Sequence, residues 1–215
     1  TIIALSCDEE NAEIYYTLDG SEPTNQSRLY TKPFHVSESC LMKINAFKKD
    51  FDSGLSVSYK LKKADYKEPV SIEKAVSGIA FDYYERFFVT TEDLDKVTPL
   101  FSGTADKIGL EPAVVNSYFG LKFKGLIKVP RDGIYSFFLS SNDGSRLFID
   151  DVELIENDAN HGSVEEPGRV ALKAGFHKIT VNYMQCAGGK SLQLSWSGPG
   201  INKQEVPAQV LFHEN

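Results

Sequence analysis

YSFFLSSNDGSRLFIDDVELIEND, residues Tyr135 to Asp158, is the stretch on which the fold turns. Two runs of alternating apolar and polar residues flank one polar turn, Ser141-Asn142-Asp143-Gly144, and a second tight turn follows at Asp150-Asp151. The spacing assigns Tyr135, Phe137, Leu139, Leu147, Ile149, Val152 and Leu154 to one inward face. A period of two is that of a strand with one buried side. The stretch therefore reads as a β-meander whose acidic groups gather in its turns, so any chemistry belongs at the strand ends.

The pattern extends outward in both directions. Upstream, Phe119, Leu121, Phe123, Gly125, Ile127 and Val129 alternate with Lys122, Lys124 and Lys128, a half-buried strand turned back by Pro130-Arg131-Asp132-Gly133. Downstream, Ile179, Val181 and Tyr183 mark one strand, and Leu192, Leu194 and Trp196 another, which puts Trp196 in the core. Near residue 90, Thr90 and Asp93 have capping-box-like spacing, and Leu94 with Val97 face inward on one short helix ended by Pro99. A first unit precedes these. In it Ile14, Tyr16 and Leu18 run into the turn signal Asp19-Gly20, Met42, Ile44 and Ala46 share a face, and Val57, Tyr59 and Leu61 close the unit. Residues 64–77 are polar, contain Pro69 and read as a linker. The expected fold class is all-β, with two β-sandwich domains at 1–63 and 78–215.

The chain has 215 residues, with 25% charged and 41% apolar, as in ordinary globular proteins. A net charge of -7 excludes the basic stripe that nucleic acids require. No apolar run approaches the ~18 residues of a membrane span. Strand-like sequence at the very start and an apolar end suggest a segment excised from a longer polypeptide that carries something else, N-terminal to it. Cys7, Cys40 and Cys186 lack metal-ligand spacing. Cys7 and Cys40 pair only if their strands adjoin; otherwise all three are buried thiols.

Two resemblances sharpen this reading. Tyr16-Thr17-Leu18-Asp19-Gly20-Ser21-Glu22-Pro23-Thr24, then Tyr30, Pro33-Phe34 and Lys43-Ile44-Asn45-Ala46-Phe47, resemble the immunoglobulin-like C-terminal domain of chitobiases and β-hexosaminidases. In the second unit, Tyr83-Tyr84-Glu85, Phe123 to Pro130, Asp132 to Phe137, Ser141 to Asp150, His161-Gly162, Leu172 to His177 and Leu194-Ser195-Trp196 follow one another as in the protective-antigen-type (PA-fourteen) lectin domain. The resemblances imply a small immunoglobulin-like sandwich followed by a larger lectin-like one. They imply a non-catalytic, carbohydrate-binding region beside the catalytic domain of an exported glycoside hydrolase, most simply a β-N-acetylhexosaminidase. A secreted, periplasmic or cell-surface location and a glycan ligand follow from the same likeness. The alternative is a spacer or docking module that binds no sugar.

In sugar-binding members of that lectin family, two consecutive aspartates after the central strand hold a calcium ion that in turn binds sugar hydroxyls. The matching positions here are Asn142 and Asp143. Asn142 supplies an amide oxygen and one negative charge fewer, whereas calcium takes six to eight oxygens and favours carboxylates. Asn142 and Asp143 are thus the candidate calcium ligands, and with His161 the candidate carbohydrate-binding residues. Turn chemistry alone also accounts for Asn142-Asp143-Gly144, and His161 with Gly162 can instead fix its loop by a hydrogen bond. Asp150-Asp151 reads as a two-residue hairpin turn. The acidic run from Asp150 to Glu166 reads as a solvated loop or a sugar-contacting one. The aromatic run from Phe81 to Tyr84 points both ways, and sequence names no stacking platform. Catalytic residues are not expected: G-x-S-x-G, H-E-x-x-H and phosphate-loop patterns are absent, and His35, His161, His177 and His213 lack ligand spacing.

Overall fold

The computed structural model describes residues 2–48 and 54–214, and the chain divides into two compact units, Thr1–Ala64 and Asp65–Asn215. Strands dominate both; the helical elements are two short 3-10 turns, Thr91–Lys96 and Ala208–Val210. Among the described residues no helix is long and apolar enough to cross a membrane.

The first unit holds β1 (Ile2–Ile3), β2 (Glu13–Thr17), β3 (Arg28–Leu29), β4 (Phe34–His35), β5 (Cys40–Phe47) and β6 (Val57–Leu61). A four-stranded sheet in the order β3-β2-β5-β6 accompanies the two-stranded pair β1-β4. Its core is small: Tyr16 and Met42 are buried, and Tyr16 stacks on Phe34 at 4.4 Å. The turn at Asp19-Gly20 needs glycine at φ +84°, and Asp19 Oδ1 accepts from Ser21 N and Oγ. It does not close a tight hairpin, because β2 and β3 are joined only after a further turn at Thr24–Ser27. Cys7 is exposed, Cys40 half-buried and Cys186 buried, all as free thiols, so burial describes Cys186 alone.

The second unit contains β7 (Ala75–Ser77), β8 (Ile79–Glu85), β9 (Phe101–Ala105), β10 (Phe119–Val129), β11 (Gly133–Asn142), β12 (Ser145–Ile149), β13 (Val152–Asn157), β14 (Val164–Leu172), β15 (Gly175–Gln185), β16 (Ser191–Gly198), β17 (Ile201–Glu205) and β18 (Leu211–Glu214). An eight-stranded sheet runs β13-β12-β15-β10-β18-β7, with β8 and β9 continuing from β10, and a four-stranded sheet runs β14-β11-β16-β17. β10 is the spine. One edge pairs with β15 along its whole length, and the other is shared by β8 and β18. Phe119, Leu121, Phe123 and Ile127 of β10 join Tyr135, Phe137 and Leu139 of β11 and Trp196 of β16 in one core between the sheets. Trp196 lies against Tyr135 and Phe137. Gly125 sits where a Cβ would come within 2.3 Å of the Phe212 carbonyl oxygen, so β18 can approach β10 only over glycine.

Four expectations meet corrections here. Tyr135, Phe137, Leu139, Leu147 and Ile149 are buried as the alternation requires, but Val152 is 55% exposed. Leu147 pairs with Ile155 and Phe148 with Glu153, so Leu154 is the extra residue of a bulge. One extra residue inverts the facing of all that follows, and Ile155 enters the core in place of Val152. Lys122 is buried rather than solvated, because the 3-10 turn covers that face of β10: Leu94, Phe88, Tyr84, Met184 and Cys186 form a second cluster there, and Lys122 pairs with Asp95. This is why Tyr83 and Tyr84, pointing opposite ways, are both buried. Thr90 stands at the N-cap of that turn without a side-chain capping bond, and the turn is held by Asp93 N donating to Thr90 O. Finally, residues expected to be a linker are paired within the second unit. Lys67 bridges Leu172, Val70 bridges Phe176, and β7 pairs with β18. A polar segment without periodicity still has backbone groups to satisfy, and the sheet edge supplies their partners.

The bulge register is testable by chemical denaturation. Ile155→Ala is expected to cost about 2–5 kcal/mol, as for a large buried aliphatic residue, and Val152→Ala to stay within about 0.5 kcal/mol. Equal losses at the two positions would contradict the register.

Candidate functional site

Five strand ends converge at one end of the larger sandwich. Asn142 of β11 pairs with Ser191 of β16, and Ser145 of β12 pairs with both Asn157 of β13 and Tyr183 of β15. The loops there are 142–144, 158–163 and 186–190. Beneath them lies a buried polar cluster. Ser141 Oγ donates to Asp143 O at 2.6 Å, so its lone pairs are left to accept from Ser145 Oγ at 2.7 Å and Asn157 Nδ2 at 3.1 Å. Tyr183 Oη donates to Asn142 O at 2.6 Å and lies within reach of Gln185 Oε1, while Gln185 Nε2 donates to Gly189 O. Burial, and then the Asp143 carboxylate, push the Tyr183 phenol and the Cys186 thiol up from their ordinary values. Both therefore stay protonated at neutral pH, and Cys186 is no nucleophile.

Asp143 is the centre of this end. It is 1% exposed. Its Oδ1 accepts from His161 N at 3.2 Å and its Oδ2 from Cys186 N at 2.8 Å, and the peptide bond preceding it is cis. One carboxylate thus ties the β11–β12 turn to the other two loops. Cys186 extends the tie: its O accepts from Tyr118 N at 2.9 Å, and its Sγ lies 3.7 Å from Phe88 O. Gly144 completes the turn, since a Cβ there would come within 2.6 Å of Asp158 Oδ1 and 2.9 Å of Met184 Cε.

The three residues expected at a binding site are brought together, with unequal roles. Asn142 is half-buried and is the member that reaches solvent. Asp143 points inward. The two ring nitrogens of His161 lie 2.6 Å from Gly162 O and 3.0 Å from Asn157 O, so the ring pins its own loop. As a calcium shell the set is deficient. It offers one carboxylate, with each oxygen already engaged by a backbone N–H, and among the described residues no three His, Cys, Asp or Glu side chains are grouped to hold a metal ion. Asn142 and Asp143 do not fit calcium as they stand.

The other acidic pair behaves as a turn. Asp150 and Asp151 have φ 51° and 62°, the left-handed pair of a type I′ hairpin. Asp150 accepts from Lys178 N and lies 2.8 Å from His177 Nδ1, and Asp151 pairs with Lys178. Several acids of the 150–166 run serve Arg146, which sequence reasoning passed over. Glu92, Glu153, Glu156 and Asp158 surround its guanidinium, and Asp158 also accepts from Thr91 N and Oγ1, fastening the 3-10 turn. A lone arginine amid that acidic run was the available signal. Asn157 and Cys186 carried none, because their roles depend on which loops share an end.

Comparison with known proteins places this geometry. The profile of the PA14 domain family matches residues 52–209, and that described as Fn3 associated matches residues 3–61. The anti-sigma-I factor RsgI3 of Acetivibrio thermocellus is 27% identical over 142 residues, 65% of this chain and 22% of its own length. A β-hexosaminidase of Porphyromonas gingivalis is 26% identical over 180 residues, 78% of this chain and 22% of its own. The chain thus spans about a fifth of the length of both relatives. Among solved structures, the PA14 sugar-binding domain of an RTX adhesin superposes with a TM-score of 0.56 at 17% identity, covering 65% of this chain and 99% of that domain. At that identity the likeness concerns the fold.

Replacing Asp143 by alanine would leave two backbone N–H groups without their acceptor, and an orphaned buried donor costs about 1–3 kcal/mol. Asp143→Ala is therefore expected to lower the unfolding free energy by about 2–4 kcal/mol in denaturant titration. A variant as stable as the parent chain would mean that the carboxylate anchors nothing.

Proposed function

The chain belongs to the PA14 domain family, and on that premise we propose that it is a non-catalytic carbohydrate-binding region of an exported glycoside hydrolase of the β-N-acetylhexosaminidase type. The observation that carries the parent assignment is the reach of the Porphyromonas relative. Its 78% coverage exceeds what either unit supplies alone, so the likeness extends over parts of both. A PA14-type sandwich whose five strand ends meet under three braced loops supports a glycan as ligand, and the sugar-binding RTX adhesin domain shares that fold. In this reading Asn142 offers its amide to sugar hydroxyls, while Asp143 and His161 hold the loops in place. Binding needs no resident cation, because the internal hydrogen bonds of Asp143 already do the bracing. The catalytic domain is a partner within the same polypeptide, and the location is outside the cytoplasm.

Two observations favour other readings. The inward Asp143 carboxylate suits a spacer that binds no sugar. The anti-sigma-I factor relative suits a parent that is a regulator rather than a hydrolase, with the same region in a different chain. A glycan array probed with this chain separates binder from spacer. Retention of N-acetylglucosamine- or galactose-terminated glycans is expected, equal in calcium and in chelator. Retention of no glycan under either condition would leave the spacer, and retention only with calcium would overturn the cation-free reading. Hydrolysis of p-nitrophenyl N-acetyl-β-glucosaminide by the natural full-length polypeptide is the expected result for the parent, and its absence would favour the regulator.

A further inference from the structure

We propose that Phe87 and Tyr118 form a stacking platform for one pyranose ring of the bound glycan, beside the Asn142–Gly144 turn; this rests on the carbohydrate reading above. Most rings of the larger unit are buried, Tyr83, Phe119, Tyr135 and Trp196 among them. Phe87 and Tyr118 are the exception, 58% and 50% exposed, yet they are paired edge to face with centroids 6.1 Å apart at 64°. Two rings so disposed make a corner about one sugar ring wide, in which the apolar face of a pyranose can lie on one ring and its edge against the other.

The position of the corner links it to the site. Tyr118 N donates to Cys186 O, and Cys186 N donates to Asp143 Oδ2, so one residue separates the platform from the carboxylate that braces the three loops. Phe87 is held from beneath, because its neighbour Phe88 is buried with its carbonyl against Cys186 Sγ. Tyr118 also has φ +58°, a left-handed conformation that costs free energy in a residue other than glycine. Surrounding structure must impose such a conformation, and strained residues gather at ligand sites. Hydrogen-bonding groups flank the rings. Lys190 Nζ donates to Asn116 Oδ1 at 2.8 Å, and Val115 O lies 3.4 Å from it, so the ammonium is ordered by neutral oxygens beside the aromatic pair. A few fixed polar groups around an apolar face is the usual composition of a small-ligand site, whereas a protein partner of stable affinity needs roughly 800 Å² per side.

The test measures affinity of the 215-residue chain for chitotetraose and N-acetyllactosamine by titration calorimetry. Phe87→Ser and Tyr118→Ser are each expected to weaken binding of the retained probe about tenfold, the loss typical of an anchoring aromatic. Tyr118→Phe, which keeps the ring, is expected to bind within about threefold of the parent, and Ile134→Ser, which removes an exposed apolar group elsewhere on the sandwich, to bind unchanged. The near-ultraviolet signal of buried Trp196 confirms that each variant is folded. Parental affinity in the Phe87→Ser Tyr118→Ser double variant overturns the platform and leaves the carbohydrate reading standing. A change in association state without a change in sugar affinity identifies the corner as a protein contact and also overturns it. A parent chain that binds neither probe nor any arrayed glycan overturns the carbohydrate reading and the platform together.

Discussion

The two oxygens of the Asp143 carboxylate each receive a backbone N–H from a different loop, one from His161 and one from Cys186. A nearly inaccessible carboxylate is tolerable only when its lone pairs are engaged, and engaging them fastens the end of the larger sandwich. The β11–β12 turn cannot shift without pulling the 158–163 and 186–190 loops, and through Cys186 O the segment before β10 as well. Charge that a bound cation would otherwise organise is organised here by hydrogen bonds within the chain.

That arrangement depends on the sandwich below it. β10, β11, β12, β15 and β16 are long or centrally placed strands, and their side chains interdigitate around Trp196 and Phe137. Fixed strands bring their ends to a common edge, where Ser141, Ser145, Asn157 and Tyr183 satisfy one another out of water. Binding residues carried on loops are held accurately only when a rigid scaffold sets the loop ends. Here the scaffold continues into the loops as a polar cluster, and half-buried Asn142 and the exposed pair Phe87 and Tyr118 lie at its surface.

Period-two alternation made the core legible from sequence, because Tyr135, Phe137, Leu139, Leu147 and Ile149 each obey a local rule. Turn chemistry was equally local, and the positive φ of Asp150 and Asp151 is what a two-residue hairpin demands. What sequence did not reveal was non-local. The bulge at Leu154 exchanges Val152 for Ile155, Lys122 is covered by a turn almost thirty residues upstream, and the 64–77 segment finds its partners on strands late in the chain. The site followed the same division. Asn142, Asp143 and His161 were identifiable as residues, but the inward aim of Asp143 and the nearness of Cys186 and Tyr118 required the fold.

The central claim is that the loop end is braced internally by Asp143. Amide hydrogen exchange at His161 and Cys186, measured in chelator and again in calcium, tests it most directly. Slow exchange of both amides in chelator, unchanged by calcium, is the predicted result. Rapid exchange in chelator that slows when calcium is added would contradict it, since the loops would then be ordered by the ion and not by the carboxylate's own hydrogen bonds.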